Sequence, residues 1–374
     1  MRSRAGFLVT ITISLILLLA ACQSDTTTPT PIPESPGVAD TETAPETETE
    51  ADEESNDQEV GGSLVIYSGR SESLVGPLIR EFAEQSGIDV QERYGGTAEM
   101  AATLLEEGEN SPADIFYAQD PGGLGAVQSA GLLAELPADI LEMVPPRFQS
   151  AEGNWVGISG RARVVVYNTE AIADPDTELP HDLWGFTDPE WQGRIGWAPT
   201  NGSFQAMVTA MRAAWGDEQT REWLQGIQAN DPVVYEGNTP IVAATAAGEV
   251  DVGFVNHYYL YRFIAEEGED FGARNYFLPG GGPGSLIMIS GAGILNTAPN
   301  PDNAERFLRY LLSASGQEYF ASQTYEYPVA EGVEPSPVLP PLQELDDAAV
   351  DIDLRDMSDL RGTVQMLSEL NILP

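Results

Sequence analysis

The sequence predicts an α/β protein whose folded part is divided into two lobes. After residue 61, short apolar segments typical of strands alternate with segments of helical period, and no internal repeat is present. The 374-residue chain has 42% hydrophobic content, which is enough apolar surface for more than one core. Since a single core rarely grows beyond roughly 250–300 residues, two α/β lobes are the expected arrangement.

The first strands and helices are predicted in the order βαβαβ. An apolar segment at 63–67 predicts a buried strand, and apolar residues at helical spacing then lead to Gly87, the expected end of a helix. A strand at 88–94, a helix around 100–105 and a strand at 113–117 follow. This rhythm predicts a parallel sheet covered on both faces.

The same patterns continue through the rest of the chain. Later strands are predicted at 163–167, 194–197, 250–255 and 286–289, and later helices at 204–215, 220–228, 241–247, 301–313 and 351–370. Ligands of open α/β sheets bind beyond the carboxyl ends of the strands. The predicted site therefore lies in the loops after Tyr67, Tyr94, Tyr117, Tyr167, Trp197 and Val255.

The N-terminus has the pattern of an export signal. Arg2 and Arg4 precede an apolar run at 7–21, which is too short for a membrane-spanning helix but suits a signal-peptide core. The run ends in Leu-Ala-Ala before Cys22, the only cysteine, and this sequence resembles the lipobox of bacterial lipoproteins. We expect a signal peptide at 1–21, lipidation of Cys22 and a membrane anchor.

Residues 22–60 are expected to form a disordered acidic linker rich in Thr, Pro and Glu. From 23 to 59 the chain has 12 acidic and no basic residues, and almost no large apolar residue. Such a composition buries too little surface to offset the entropy of ordering the chain. The folded domain is therefore predicted at 61–374.

Composition excludes several classes of function. The formal net charge is -42, so a nucleic-acid partner is not expected. One cysteine excludes an intramolecular disulfide, a Cys-rich zinc site and an iron–sulfur cluster, and two histidines offer few residues for His-based metal sites or catalytic triads. No Gly-x-Ser-x-Gly or other specific catalytic spacing is present, so the sequence does not indicate an enzyme.

Tyr258 and Tyr259 follow the predicted strand at 250–255 directly. Neighbouring residues do not share a face of a regular helix, so the two phenols can converge only at a strand-to-helix junction, where the pattern places them. A phenol becomes a good ligand when an oxygen-seeking, strongly Lewis-acidic cation such as Fe(III) displaces its proton. The alternative is that both rings pack in the core with their hydroxyls at the surface.

Three other motifs allow more than one interpretation. Asn201, Gly202 and Ser203 open a predicted helix, where they either bind an anion through backbone N–H groups or cap the helix. Arg161 and Arg163 point the same way on a strand, either as an anion clamp or as partners for surface acids. His257, beside the tyrosine pair, is expected to have a structural role.

Seven stretches make the chain similar to a known family. They are LVIYS at 64–68, SPADIF at 111–116, SGRARVVVYN at 159–168, WQGRIG at 191–196, NHYY at 256–259, SGAG at 290–293 and YEYP at 325–328. In these it resembles the ferric-ion-binding solute receptors of bacterial ABC importers, within the periplasmic-binding-protein type 2 superfamily. The resemblance covers nearly all of residues 62–340.

The resemblance implies a two-lobed fold with a hinge and a central cleft. Crossover strands are expected near 159–164 and 288–293. The N-terminal lobe is expected at about 62–162 and 290–335, and the C-terminal lobe at about 163–289, with C-terminal helices at 336–374.

The family places paired tyrosines on iron, which implies Tyr258 and Tyr259 as metal ligands, and one branch adds the residue aligned with Tyr167. The family's N-lobe ligands are substituted here, and Glu72 is the simplest replacement, with Tyr94 and Asp120 as alternatives. Some members hold a synergistic anion, carbonate or phosphate. The positions that align with this anion site are Asn201, Gly202, Ser203, Asn238 and Asn256, with Arg161 and Arg163 as alternative support for the phenolates.

Three functions remain as hypotheses. The first is an extracytoplasmic lipoprotein, expected to be monomeric and anchored on the outer face of the cytoplasmic membrane, that captures Fe(III) and delivers it to an ABC permease and ATPase. The second is a receptor for another small solute: a polyamine, a thiamine-like cation or a phosphonate. The third is an exported enzyme on the same scaffold, for which the sequence offers no feature beyond the fold.

Overall fold

A computed structural model describes residues 61–342, 344–345 and 359–373 of the chain. The predicted signal peptide, Cys22 and the acidic linker lie outside the described residues, and so does the first part of the helix predicted at 351–370. Within the described part of the chain, no helix combines the length and the apolar character that a membrane span requires.

Strands and helices alternate through most of the described chain. The strands are β1 (Ser63–Ser68), β2 (Asp89–Tyr94), β3 (Ile115–Ala118), β4 (Val156–Asn168), β5 (Ile195–Trp197), β6 (Val233–Val234), β7 (Val252–Asn256), β8 (Ala273–Tyr276), β9 (Ile287–Ile294) and β10 (Tyr327–Pro328). The helices are α1 (Glu72–Ser86), α2 (Thr97–Glu107), α3 (Pro121–Ser129), α4 (Ala138–Leu141), α5 (Pro175–Glu178), α6 (Gly202–Ala229), α7 (Asn238–Ala246), α8 (Tyr258–Glu267), α9 (Pro301–Leu311), α10 (Ala314–Tyr319) and, last among the described residues, α11 (Leu360–Glu369).

The first lobe is built on a mixed sheet. Strand β1 pairs in parallel with β2 and with β3, as the βαβαβ pattern predicts. Strand β9 then adds antiparallel to β3, and β4 adds antiparallel to β9. The expectation of a parallel sheet is therefore confirmed only for the first three strands, because β9 returns from the second lobe in the opposite direction.

Strand β4 connects the two lobes. Its first part, to Ala162, pairs with β9 and β10, whereas its second part, from Arg163, pairs with β7 and β8. The chain returns to the first lobe at Leu286, whose carbonyl accepts a hydrogen bond from the Arg163 N–H at 2.9 Å. The two crossings therefore lie side by side and form a narrow connection between the lobes.

Three of the predicted helices differ from the structure in more than their terminal residues. The helices predicted at 204–215 and 220–228 form α6, which is interrupted at Gly216, where φ is 81°. The helix predicted at 351–370 begins at Leu360 in the described residues. Met366 and Leu367 of α11 are buried in the core of the second lobe, beside Met207 and Met211 of α6.

Candidate functional site

A cavity of about 480 Å³ lies between the two lobes. The first lobe lines it with the loops after β1, β2 and β3, which include Ser71, Tyr94 and Asp120. The second lobe lines it with the start of α6, at Asn201 and Gly202. Four of the six predicted loops therefore meet at one cavity. Those after Tyr67, Tyr94 and Tyr117 do so because their parallel strands end at one edge of the first-lobe sheet, and the loop after Trp197 reaches the cavity from the second lobe.

Tyr258 opens α8, directly after β7 of the second lobe, yet its ring packs with the core of the first lobe. Its side chain is fully buried, and its hydroxyl has no hydrogen-bond partner among the described residues. Burial, with a smaller contribution from Tyr259, raises the Tyr258 pKa well above its ordinary value, while Arg70 opposes the shift. In this structure the phenol is protonated at neutral pH.

Tyr259 stacks on Tyr258, with ring centroids 4.3 Å apart and an angle of 28° between the rings. It is partly buried and lines a second, smaller cavity of about 330 Å³, together with Ser73 of the first lobe and Arg262. The two rings are therefore adjacent, but neither lines the larger cavity.

Three fully buried arginines lie around Tyr258 and Tyr259. Arg161 is 0% exposed, and none of its three side-chain nitrogens has a partner among the described residues. Burial first, and then the charge of Arg70, lower its pKa. Burial and the charge of Arg161 lower the pKa of Arg163 to about 9. A buried guanidinium without a negative partner costs free energy, so this cluster favours the binding of a negatively charged group.

Two carboxylates counter this positive charge in part. Arg70 and Glu326 form a fully buried ion pair with an Nη2–Oε2 distance of 2.6 Å. Asp120 lies at the N-terminus of α3, is 6% exposed and lines the cavity between the lobes. Burial raises its pKa, and Arg161 opposes this shift.

Five of the predicted anion residues, but not Arg161, form one hydrogen-bonded network of side chains: Arg163, Asn201, Ser203, Asn238 and Asn256. Arg163 Nη1 donates to Asn256 Oδ1 at 3.0 Å, and Asn238 Nδ2 donates to Asn201 Oδ1 at 3.2 Å and to Ser203 Oγ at 3.1 Å. Asn201 also caps α6, because its Oδ1 accepts from the Ser203 N–H. These bonds fix the start of α6 against β4 and β7, while Arg163 Nε and Nη2 and Asn256 Nδ2 have no hydrogen-bond partner among the described residues.

The structure does not bring Tyr167 to the tyrosine pair. Strand β4 runs antiparallel to β7, so Arg163 pairs with Asn256 at the carboxyl end of β7, whereas Tyr167 pairs with Val252 at the opposite end. Four residues of strand separate Tyr167 from Arg163 by roughly 13 Å. Because β4 is antiparallel to β7, the two strands end at opposite edges of the sheet. The loop after Tyr167 therefore lies at the edge away from the tyrosine pair.

Glu72 also lies apart from both cavities. It is the first residue of α1, and it is exposed to solvent. Its charge helps to raise the pKa of Tyr94, after the larger effects of burial and of Glu92. The side chain of Tyr94 donates to Glu92 Oε1 at 2.8 Å.

His257 precedes the pair and is completely buried. Its Nδ1 accepts from the Ala162 N–H at 3.0 Å, and its Nε2 lies 2.7 Å from the Tyr325 carbonyl oxygen, to which it donates. Burial lowers its pKa to about 4, so the ring is neutral. Both nitrogens are in use, which agrees with the structural role predicted for it.

Sequence reasoning missed Arg70 and Glu326, which lie 256 residues apart and meet only in the folded chain. Arg70 lies in a predicted loop, after β1, and Glu326 lies in the YEYP stretch. Both residues therefore lie in segments that the sequence had already indicated. Nothing in the sequence shows that Arg70 and Glu326 contact each other or that both are near Tyr258.

Comparison with known proteins places the chain in a family. The family model of the bacterial extracellular solute-binding proteins matches residues 77–345. The chain belongs to this family of solute-binding proteins. The family resemblance and the two-lobed fold class predicted from sequence are confirmed.

Relatives of this solute-binding protein include iron-binding proteins. The Fe(3+)-binding periplasmic protein of Serratia marcescens is 33% identical over 312 residues, which cover 83% of this chain and 90% of the relative. Iron-bound HitA from Pseudomonas aeruginosa has a TM-score of 0.78 and 33% identity, and the match covers 82% of this chain and 99% of HitA. A Trichodesmium protein in complex with iron and citrate has a TM-score of 0.69 and 27% identity, over 83% of this chain and 99% of that one.

The side chains that this solute-binding protein offers as metal ligands do not form a cluster of the common ligand types. Among the described residues, no group of three or more His, Cys, Asp or Glu side chains could hold a metal ion. Tyr258 and Tyr259, whose rings are adjacent, place two phenol groups at the contact between the lobes.

Proposed function

We propose that this protein captures Fe(III) between its lobes, with Tyr258 and Tyr259 as phenolate ligands, and delivers it to an ABC permease. The observation that carries the proposal is the buried Tyr258 hydroxyl, which has no hydrogen-bond partner in the described part of the chain and is near the charges of three buried arginines, Arg70, Arg161 and Arg163. The names of relatives that match most of the chain, such as the Fe(3+)-binding protein of Serratia marcescens, support the choice of metal.

The charge of the metal decides whether the phenols become ligands. Fe(III) is hard and strongly acidic, so it displaces phenol protons and binds the resulting oxygen anions. Divalent ions gain less from a phenolate and compete poorly for a phenol whose pKa burial has raised. Arg161 and Arg163 then stabilise the two phenolates, which gives these buried cations the negative partners that they lack.

Asp120, rather than Glu72, is our proposed ligand from the first lobe. It lines the cavity between the lobes and is nearly buried, whereas Glu72 is exposed outside it. A carboxylate oxygen is a hard ligand suited to Fe(III). Tyr94 also lines the cavity, but its hydroxyl already donates to Glu92.

A synergistic anion, carbonate or phosphate, completes the proposed site. The N-terminus of α6 at Gly202 lines the cavity, and a helix N-terminus attracts anions. The guanidinium of Arg161, which has no hydrogen-bond partner in the described ranges, adds positive charge that acts on Asp120. The citrate bound with iron in the Trichodesmium neighbour is a precedent for an anion beside the metal. Asn201, Ser203, Asn238 and Asn256 hold this region in place.

The location and partners follow from the N-terminal sequence and from the family. We propose that Cys22 carries a lipid that anchors the protein on the outer face of the cytoplasmic membrane, with residues 22–60 as a tether. The protein then works as a monomer that delivers its cargo to the permease and ATPase subunits of an importer.

The experiment that tests this function is spectroscopic. Ferric citrate added to the wild-type protein should produce the visible charge-transfer band of iron bound to phenolate. A Tyr258→Phe, Tyr259→Phe double variant should lose the band and at least a hundredfold of Fe(III) affinity, while circular dichroism shows an unchanged fold. Tyr167→Phe is the matched control and should keep both. A double variant with wild-type affinity would exclude the tyrosine pair as the iron ligand.

Binding should also release protons, because both phenols must ionise. While both remain protonated in the metal-free protein, two protons leave for each ferric ion, so affinity falls on acidification by about two log units per pH unit. Competition with citrate between pH 8 and 6, corrected for protonation of citrate, measures this slope. A pH-independent affinity would contradict phenolate binding, and the double variant provides the baseline.

A further inference from the structure

All four polar groups of His257 have partners. Its N–H donates to the Ala162 carbonyl at 3.0 Å, and its own carbonyl accepts from Asn275 Nδ2 at 2.8 Å. In the ring, Nδ1 accepts from the Ala162 N–H, and Nε2 donates to the Tyr325 carbonyl. Since an N–H must donate, Nδ1 carries no proton, and the ring is the Nε2–H tautomer.

One of these partners lies at the crossing between the lobes. Ala162 is the last residue of β4 that pairs with the first-lobe strand β9, and it separates Arg161 from Arg163. The His257 ring therefore binds the β4 backbone between the two buried arginines. A shift of the ring would disturb this part of the backbone, from which both arginine side chains extend.

The other partner lies in a strained segment of the first lobe. Tyr325 has φ of 56°, an uncommon value for a residue other than glycine, and it follows the single π-helical turn Phe320–Thr324. The next residue is Glu326, which forms the ion pair with Arg70, and the charges of both residues act on Tyr258. The hydrogen bond from His257 fixes the direction of the Tyr325 carbonyl and, with it, the place of Glu326.

We infer that His257 is a positioning residue that sets the Tyr258 hydroxyl relative to the guanidiniums of Arg161 and Arg70. It acts through Ala162 on one ring nitrogen and through Tyr325 on the other. Tyr258 is covalently attached to it, so one imidazole connects the tyrosine pair, the strand crossing and the Arg70–Glu326 ion pair. This role rests on the proposed function, because it concerns the geometry around the same phenol.

A role limited to filling the core makes a different prediction. His257 packs against the ring of Tyr327, with centroids 5.1 Å apart, and an apolar side chain of similar size would keep that contact. Only the hydrogen bonds connect the ring to the backbone beside Arg161 and, through Tyr325 and Glu326, to Arg70. The two roles can therefore be separated by variants that keep the volume or keep the hydrogen-bonding groups.

Three substitutions make this distinction. His257→Leu removes both ring hydrogen bonds, His257→Asn keeps an acceptor and a donor on a side chain too short to span both partners, and His257→Gln keeps both groups at greater reach. His181, exposed and the only other histidine in the sequence, provides the matched control His181→Leu. Each variant is loaded with ferric citrate, and its visible band, Fe(III) affinity and thermal unfolding are recorded.

We expect His257→Leu and His257→Asn to lose at least tenfold in Fe(III) affinity and to shift the band, since the band reports the iron–phenolate geometry. His257→Gln should stay within about threefold of wild type, and His181→Leu should be unchanged. In the metal-free wild type, ¹⁵N spectra should show the Nε2–H tautomer. If His257→Leu does not fold, His257→Asn carries the comparison with His257→Gln.

Two outcomes would overturn the inference. One is that folded His257→Leu or His257→Asn has the wild-type band and affinity while only its thermal stability falls. The other is an Nδ1–H tautomer in the wild type. Failure of the proposed function is a distinct result, because the wild-type protein itself would then show no band with iron.

Discussion

At the scale of single residues, the main feature of the site is the positive charge of three buried arginines, Arg70, Arg161 and Arg163. Arg161 has no partner for its three side-chain nitrogens among the described residues, whereas Arg70 is paired with Glu326. A buried charge without a partner is costly, and a buried pair becomes costly when one member is removed. These two arginines should therefore respond in opposite ways to the same substitution.

We expect Arg161→Met to leave the free energy of unfolding of the metal-free protein unchanged or raised by about 1 kcal/mol, and to weaken Fe(III) binding. Arg70→Met should lower that free energy by about 3 kcal/mol, because it leaves Glu326 buried and unpaired. Urea denaturation of both variants measures the difference. Equal destabilisation by the two substitutions would show that Arg161 already has a compensating partner.

At the scale of elements, strand direction determines which residues reach the site. Strand β7 ends at Asn256, so its carboxyl end delivers His257, Tyr258 and Tyr259 to the contact between the lobes. Strand β4 runs the other way and delivers Arg161 and Arg163 from its middle. Helix α7 packs over β7 and contributes Asn238 to the same network.

Close packing between α7 and β7 depends on Gly253. A Cβ atom at this position would clash with Ile241 Cγ2 of α7 and would lie 3.4 Å from the Gly196 carbonyl oxygen. We expect Gly253→Ala to lower the free energy of unfolding by about 1–3 kcal/mol, because Ile241 must move. Thermal or urea unfolding measures this, and Gly61→Ala is the control, since Gly61 lies outside the helices and strands and no atom lies within 4 Å of a Cβ there. An equally small effect at both positions would show that α7 adjusts freely.

At the scale of the whole molecule, the lobes enclose the tyrosine that the proposal requires. Tyr258 follows a strand of the second lobe, but its hydroxyl faces Arg70 and Glu326 of the first lobe, and its side chain is 0% exposed. A ferric ion can reach this oxygen only if the lobes separate. The narrow connection at Ala162 and Leu286 is suited to such a hinge motion.

The rate of iron capture should therefore be limited by opening of the lobes at high ligand concentration. We expect the observed rate of appearance of the charge-transfer band in stopped-flow mixing to reach a plateau as ferric citrate is raised. The double phenylalanine variant corrects for ferric hydroxide formation. A rate that rises linearly to the highest concentration would show that the tyrosine oxygens are reached without separation of the lobes.

The sequence by itself determined the alternation of strands and helices, the division into two lobes, the family, and the position of a tyrosine pair at a strand-to-helix junction. Periodicity and neighbouring motifs carry this information because they depend on local backbone geometry. The loops after β1, β2 and β3 were also predictable, since these strands are parallel and end at one edge.

Only the tertiary structure decided which distant residues share the site. It separated Tyr167 from the pair because β4 is antiparallel to β7, and it left Glu72 at the surface. It joined Arg70 to Glu326 across 256 residues and placed both beside Tyr258. Strand direction and long-range burial arise from how the whole chain packs, and no local pattern of residues encodes them.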